Sequence, residues 1–203
     1  MVLLNSVRFL EDRSPIGRNG SYIQGGKQNI ADLYKLNDYD RGHLMPKADA
    51  IYPAWELETN HYYNIKPQNS NLNSGAWRTL EHTIRNKAIK TSETFDVYTG
   101  GFDIKGFLND VVKLVSIHTI WYKMVINNSR GIVFAACNEQ NSCNTELENM
   151  CENICMKIGW LTPHKTTQIK IICCSIKDFY ASGKLAIIPG TEGVTEDLYF
   201  YQK

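Results

Sequence analysis

No stretch of this 203-residue chain holds the roughly 20 consecutive apolar residues of a membrane-spanning helix, so no membrane partner is expected. Charge of one sign is missing too: 22 Lys and Arg stand against 21 Asp and Glu, a net +1 that does not mark a nucleic-acid binder on its own. The balance is +3 over residues 1–90 and −2 beyond, so any positive groove has to be local. Internal repeats, low-complexity blocks and linkers are absent, which favours one domain over residues 1–203. A secretory leader is also lacking. Met1-Val2-Leu3-Leu4 is too short for one, and Asn5, Arg8 and Glu11 break any apolar continuation. Either a signal has been removed or the chain begins inside its protein. With 43% hydrophobic and 21% charged residues, the rest is ordinary globular composition, long enough to bury a sizeable core.

Cysteine is absent from the first 136 residues, and six then appear: Cys137, Cys143, Cys151, Cys155, Cys173 and Cys174. A zinc site at Cys151, Cys155 and the 173–174 pair is disfavoured, because adjacent cysteines are poor tetrahedral ligands and no histidine lies close by. An even number confined to one third of a chain fits disulfides in an oxidising compartment, with reduced core thiols as the alternative. At least one bridge is expected from Cys151 or Cys155 to Cys173 or Cys174. Asn19-Gly20-Ser21 and Asn127-Asn128-Ser129 are glycosylation acceptor triplets and point the same way.

Residues 1–37 read as polar, glycine-containing connections with apolar runs at 2–4 and 7–10. Residues 62–65 read as a strand feeding a helix, and 94–101 and 111–117 are β-rich. Residues 121–127 and 131–137 form a hairpin across 127–131. Residues 138–149 read as a surface loop, 151–161 as a helix on the spacing of Ile154, Ile158 and Leu161, and 169–176 as a last strand. The tail after about residue 178, with Gly183, Pro189-Gly190 and Gly193, reads as irregular. The fold class is α+β.

The most informative stretch runs from Tyr39 to Lys87. It opens with Asp40-Arg41-Gly42-His43, passes Asn64-Ile65-Lys66-Pro67-Gln68, and closes with Asn73-Ser74-Gly75-Ala76-Trp77-Arg78-Thr79-Leu80-Glu81 and Arg85. The last block predicts a helix from about Asn71 to Lys90, with Asn71 or Asn73 as its cap. Leu72, Ala76, Leu80 and Ile84 recur every four residues as an apolar stripe, and Asn73, Trp77, Glu81 and Arg85 recur on an adjoining one.

These residues resemble the DNA/RNA non-specific endonucleases, the ββα-metal nucleases marked by Asp-Arg-Gly-His followed by Asn and a helix with Trp, Leu-Glu and Arg. Several fixed residues keep their order and spacing, which makes the match specific where four letters alone would not. It extends to Phe95-Asp96-Val97-Tyr98-Thr99-Gly100-Gly101, Ile120-Trp121-Tyr122-Lys123-Met124-Val125 and Ile158-Gly159-Trp160-Leu161, over about residues 30–180. It is nearest to secreted arthropod enzymes that digest double-stranded RNA and DNA. The resemblance implies a central antiparallel sheet carrying a ββα-metal finger, with His43 on a strand of the finger. It implies that His43 activates water, Asn73 is the single direct protein ligand to Mg²⁺ (Mn²⁺ as substitute), Glu81 holds metal-bound waters and Arg85 neutralises charge near the phosphate. The family also places a phosphate-binding arginine on an upstream strand. Arg8, Arg13 and Arg18 are candidates, and Arg8 sits best in strand-like sequence. Arg41 either pairs with Asp40 or touches substrate. Asn64 is assigned to the substrate-binding set and, with Gln68, to shaping the loop towards Asn73.

Each residue also has a plainer role. Histidines are commonly structural hydrogen-bonders, an Asn at a helix start is commonly a cap, and Glu81 with Arg85 would suit a solvated i,i+4 pair. Trp77 reads as core packing beneath the site. The chemistry nonetheless hangs together. Histidine is the residue type suited to take a proton from water near neutral pH. A single amide ligand suits a hard ion that keeps most of its hydration shell. The expected function is a metal-dependent hydrolase of DNA and RNA, double strands included, secreted, monomeric or homodimeric. The alternatives are a catalytically silent nucleic-acid-binding relative and a phosphodiesterase acting on small nucleotides.

Overall fold

The computed structural model describes residues 6–9, 30–111, 113–139, 142–158 and 169–198. Two long strands, β4 (Asp96–Asn109) and β5 (Leu114–Asn127), pair antiparallel, and β6 (Arg130–Cys137) continues from β5 through a tight turn. Asn128 takes the left-handed conformation there, with φ 55°. β7 (Ile171–Cys174) pairs antiparallel with β6, while β1 (Ser6–Phe9) lies parallel to β4, giving the order β1-β4-β5-β6-β7. A two-residue strand, β8 (Glu196–Asp197), adds a parallel pair to β6. The sheet is thus mainly antiparallel with parallel pairings at two places, and the class is α+β.

Helices cover both faces, and β5 shows why. Trp121 and Val125 fall in one core with Leu44, Trp77, Leu80 and Ile84, whereas Ile120, Tyr122, Met124 and Ile126 fall in another with Leu147, Ile176 and Phe179. A strand buried on both faces reads as a continuous apolar run rather than an alternating one. Lys123 interrupts that run and shares the face of Trp121 and Val125. α1 (Ile30–Leu36), unexpected in a stretch read as connections, buries Leu33 in a smaller cluster with Ile65 and Val115.

A separate two-stranded ribbon carries the motif. β2 (Tyr39–His43) pairs with β3 (Ile65–Asn69), setting His43 opposite Ile65 and Asp40 opposite Gln68. Asn138 pins this ribbon to the large sheet. Its Nδ2 donates to the carbonyls of Pro67 (3.0 Å) and His118 (2.9 Å), and its Oδ1 accepts from the Asn69 N–H at 2.8 Å. Gly42 is where the ribbon meets the sheet. A Cβ there would lie 2.5 Å from Gln68 Oε1 and 3.0 Å from the Trp121 ring, so a side chain would push the strands apart.

Several expectations need correction. The strand expected over 62–65 is a 3₁₀ turn at Tyr62–Asn64, and β3 begins at Ile65, because Asn64 is committed to loop hydrogen bonds. The site helix is not one regular α-helix from Asn71. Leu72–Trp77 is a wide π turn with Gly75 out of helical geometry (φ −104°, ψ −108°), and regular α3 covers Arg78–Thr91. Neither Asn71 nor Asn73 caps it through a side chain. The apolar stripe holds all the same: Leu72, Ala76, Leu80 and Ile84 are buried, as is Trp77.

Further along, residues 151–158 do not form the expected helix. α4 is earlier, at Asn144–Met150, inside the stretch read as loop, and Cys155–Lys157 makes one 3₁₀ turn. Leu161 lies outside the described residues. Cross-links hold this segment against β7 instead: Cys151 bonds Cys174, Cys155 bonds Cys173, and the Ile154 N–H donates to the Cys173 carbonyl at 2.9 Å. Successive strand residues face opposite ways, so Cys173 and Cys174 enter different cores. Cys137–Cys143 completes three bridges and engages every cysteine. The tail is not wholly irregular, since α5 (Ile176–Ala181) starts under a Ser175 cap. Asn127 is only 8% exposed and accepts from Asn128 Nδ2, a poor glycan acceptor; Asn19 lies outside the described residues.

Candidate active site

His43 ends β2, and strand alternation puts it on the same outward face as exposed Arg41, opposite the face where Gly42 meets Gln68 and Trp121. Its Nε2 lies 3.3 Å from Asn60 Oδ1, and Asn60 Nδ2 donates to the Glu56 carbonyl at 3.4 Å, which orients the amide. Asn64, 1% exposed, closes the loop behind. Its Oδ1 accepts from the Met45 N–H, and its Nδ2 donates to the carbonyls of Met45 and Thr59. Every polar atom of that amide bonds backbone, so Asn64 shapes this loop.

Asn73 is tied to the His43 strand. Its Nδ2 donates to Asp40 Oδ2 at 2.9 Å, and Asp40 Oδ1 accepts from Ser70 Oγ at 2.9 Å. Asp40 therefore serves Asn73 and not Arg41, the partner considered from sequence. With Nδ2 engaged, Asn73 Oδ1 is the amide end left to meet a ligand.

One turn along α3, Glu81 and Arg85 join residues from two other elements. Arg85 Nε donates to Asp49 Oδ1 at 2.6 Å. Glu81 Oε1 lies 3.6 Å from Lys123 Nζ, and that ammonium also donates to the Leu44 carbonyl at 3.4 Å and sits 5.7 Å from the centre of the Trp77 ring. A buried ammonium has to be compensated, and this one spans from the residue after His43 to the helix carboxylate. A void of about 10 Å³, the size of a single water, is walled by Asp49, Glu81, Ile84, Arg85, Val97 and Lys123. Burial pushes the Glu81 carboxyl up to about 7, opposed by Lys123, reinforced by Asp49 and opposed again by Arg85.

The expected residues thus fall into three linked groups. His43 sits with Asn60, Asn73 with Asp40, and Glu81 and Arg85 with Lys123 and Asp49; among the described residues no hydrogen bond joins His43 directly to Asn73, Glu81 or Arg85. Arg8 lies on β1 opposite Tyr98, one position on from the pair Val7 and Val97, and Val97 borders the void; Arg13 and Arg18 lie outside the described residues. Sequence reading missed Lys123, Asp49 and Asn60. Lys123 left a signal, one charge inside an apolar strand run, whereas Asp49 and Asn60 left none.

The family described as DNA/RNA non-specific endonuclease matches residues 16–158. Salivary protein Tsal1 of Glossina morsitans morsitans is 29% identical over 182 residues, covering 78% of this chain and 43% of that protein. A salivary endonuclease of Culex quinquefasciatus is 35% identical over 127 residues (57% of this chain, 34% of that protein), and a nuclease of Serratia marcescens is 40% identical over 141 residues (60% and 51%). The chain spans about half the length of these relatives, or less. With most of its length matched, including both the ribbon and the site helix, the chain belongs to the DNA/RNA non-specific endonuclease family.

Proposed function

We propose that this chain is a metal-dependent endonuclease that hydrolyses phosphodiester bonds of DNA and RNA with little sequence preference, and that it acts outside the cell. The observation that carries the reading is the Asp40–Asn73 hydrogen bond, which fixes an amide oxygen beside the strand of a histidine. The donor set suits Mg²⁺, with Mn²⁺ as substitute: Asn73 Oδ1 supplies one hard oxygen, and the Glu81 carboxylate, poorly solvated in its void, gains from a cation nearby. When bound, the ion supplies charge neutralisation at the phosphate and the leaving oxygen.

The protein's own groups do the rest. With Nε2–H donated to Asn60 Oδ1, the other nitrogen of His43 takes the proton from the attacking water. The water oxygen bonds phosphorus as the bond to the leaving oxygen breaks, that oxygen takes a proton from solvent, and His43 returns its own proton to solvent. Asp40 holds the Asn73 amide, while Lys123 holds the Glu81 carboxylate. Asp49 already compensates Arg85, which favours a role for Arg85 in setting the local field over a free phosphate clamp. Exposed Arg41 beside His43 is the better phosphate contact, and Arg8, on the edge strand β1 of the large sheet, is kept as a second candidate. Three disulfides, and the salivary names of similar proteins, support secretion.

Substrate breadth is a consequence of the chemistry. None of these groups reads a base edge, and phosphate contacts position a nucleic acid without specifying its sequence. An external water needs no 2′-hydroxyl. Plasmid DNA and double-stranded RNA incubated with Mg²⁺, with and without a chelator, test the reading: both should be cut, and neither in chelator.

A further inference from the structure

Exposed apolar residues are unevenly spread. Of the eleven large ones among the described residues, Ile51, Tyr52, Trp55, Leu57 and Tyr63 fall within residues 51–63, and these include all three exposed aromatics. Such a concentration calls for an occupant. Between Trp55, on α2 (Pro53–Glu58), and Tyr63 lies an open cleft of about 160 Å³, floored by Met45, Thr59 and Asn64 and edged by Glu58. We propose that this cleft is a stacking subsite that takes one unstacked nucleobase of the substrate, beside the phosphate addressed by His43.

Three observations favour a base as the occupant. The cleft is continuous with the catalytic strand: Met45 is two residues past His43, and Asn60, on the same loop, holds the His43 ring. Its floor is fixed in advance, because the Asn64 amide bonds the backbone of both Met45 and Thr59. Its one charged edge is already engaged, since Glu58 Oε2 contacts His61 Nε2 at 3.3 Å and the Tyr63 hydroxyl at 3.5 Å, and His61 stacks on Tyr63 with rings 6° from parallel. Aromatic faces accept any base, so the subsite adds no sequence preference. It does add a preference of form: a single strand can offer a free base, whereas an intact duplex keeps its bases stacked on one another.

This inference rests on the nuclease reading and is separable from it. KM should be measured on single-stranded and duplex DNA for the wild type, Trp55→Ala and Trp55→Phe, alongside binding in chelator of a single-stranded oligonucleotide and an abasic chain of equal length. Trp55 is 52% exposed, so its replacement should leave the core intact and remove the part of the indole fluorescence that a base stacked on it quenches. The expected result is a KM on single strands raised about tenfold in Trp55→Ala, little change on duplex, recovery in Trp55→Phe, and a wild-type preference for the base-bearing chain that Trp55→Ala loses. Equal loss on both substrates, or equal binding of abasic and normal chains by the wild type, would overturn the subsite. So would a wild-type dimer that Trp55→Ala dissociates, since a second copy would then be the occupant. A wild type that cuts no nucleic acid would instead sink the function on which the proposal rests.

Discussion

Lys123 places an ammonium where almost no water reaches, at 2% exposure, and its partners are Glu81 and the carbonyl of Leu44. At Glu81, burial outweighs the opposing pull of that ammonium. The carboxyl's folded value, about 7, lies above its ordinary 4.5, so the native state binds the proton more tightly than the unfolded chain does. That contribution is complete below about pH 4.5 and is lost as pH rises through about 7, up to about 3 kcal/mol without metal. The thermal midpoint in chelator should therefore fall over this interval, and Glu81→Gln should flatten that part of the profile; an unchanged slope would remove Glu81 as its source. Bound Mg²⁺ should oppose the trend, because it favours the charged carboxylate.

The other residue-scale predictions concern His43 and the amide clamp. His43→Ala should lower kcat by about 10²–10⁴-fold with the fold unchanged by circular dichroism, and retention of more than about a tenth of the rate would refute the general base. Asn73→Ala should raise the Mg²⁺ needed for half-maximal rate, and Asp40→Ala should do so more weakly, since it acts through Asn73. Asn73→Ala has no cap hydrogen bond to lose but does lose the bond to Asp40, so stability should drop by about 1 kcal/mol, and Asp40→Ala should cost at least as much; a drop in Asn73→Ala that Asp40→Ala does not share would show that the amide caps the helix in solution. Spacing made His43, Asn73, Glu81 and Arg85 legible, because one helix and one strand carry them. Asp49 and Asn60 were not, because they arrive through tertiary packing that no local pattern encodes.

At the scale of elements, periodicity revealed the buried stripe of the site helix but not its wide first turns, since a single Gly75 leaves the spacing of Leu72, Ala76, Leu80 and Ile84 intact. The hairpin of β5 and β6 was legible from its two apolar runs and the turn residues between them. α4 was not, because seven residues that bury only Leu147 and Met150 carry too little pattern. Residues 151–158 misled for the opposite reason: helical spacing was present, and two cross-links overrode it. These bridges close separations of 23 and 18 residues, for which chain entropy gives roughly 3 kcal/mol each. Cys155→Ala with Cys173→Ala should lower stability by about that amount, and thiol titration of the denatured, unreduced chain should find none. Six reactive thiols would remove both the staple and the argument for an oxidising compartment.

At the scale of the molecule, the α+β class was visible in the mixture of strand-like runs and one long helical stripe, while the sheet order was not, since β1 reaches β4 across much of the chain. The large sheet gives the site its floor, the pinned ribbon brings His43, and the helix brings Asn73 and Glu81; none of the three alone assembles the chemistry. The most direct test of this account is cleavage of double-stranded DNA and double-stranded RNA side by side, in Mg²⁺ and in chelator. The account predicts rates within about an order of magnitude of each other, because water in place of the 2′-hydroxyl is the nucleophile and the contacts are to phosphate, and no cleavage of either once the metal is removed. RNA cleavage that persists in chelator, with DNA left intact, would contradict it.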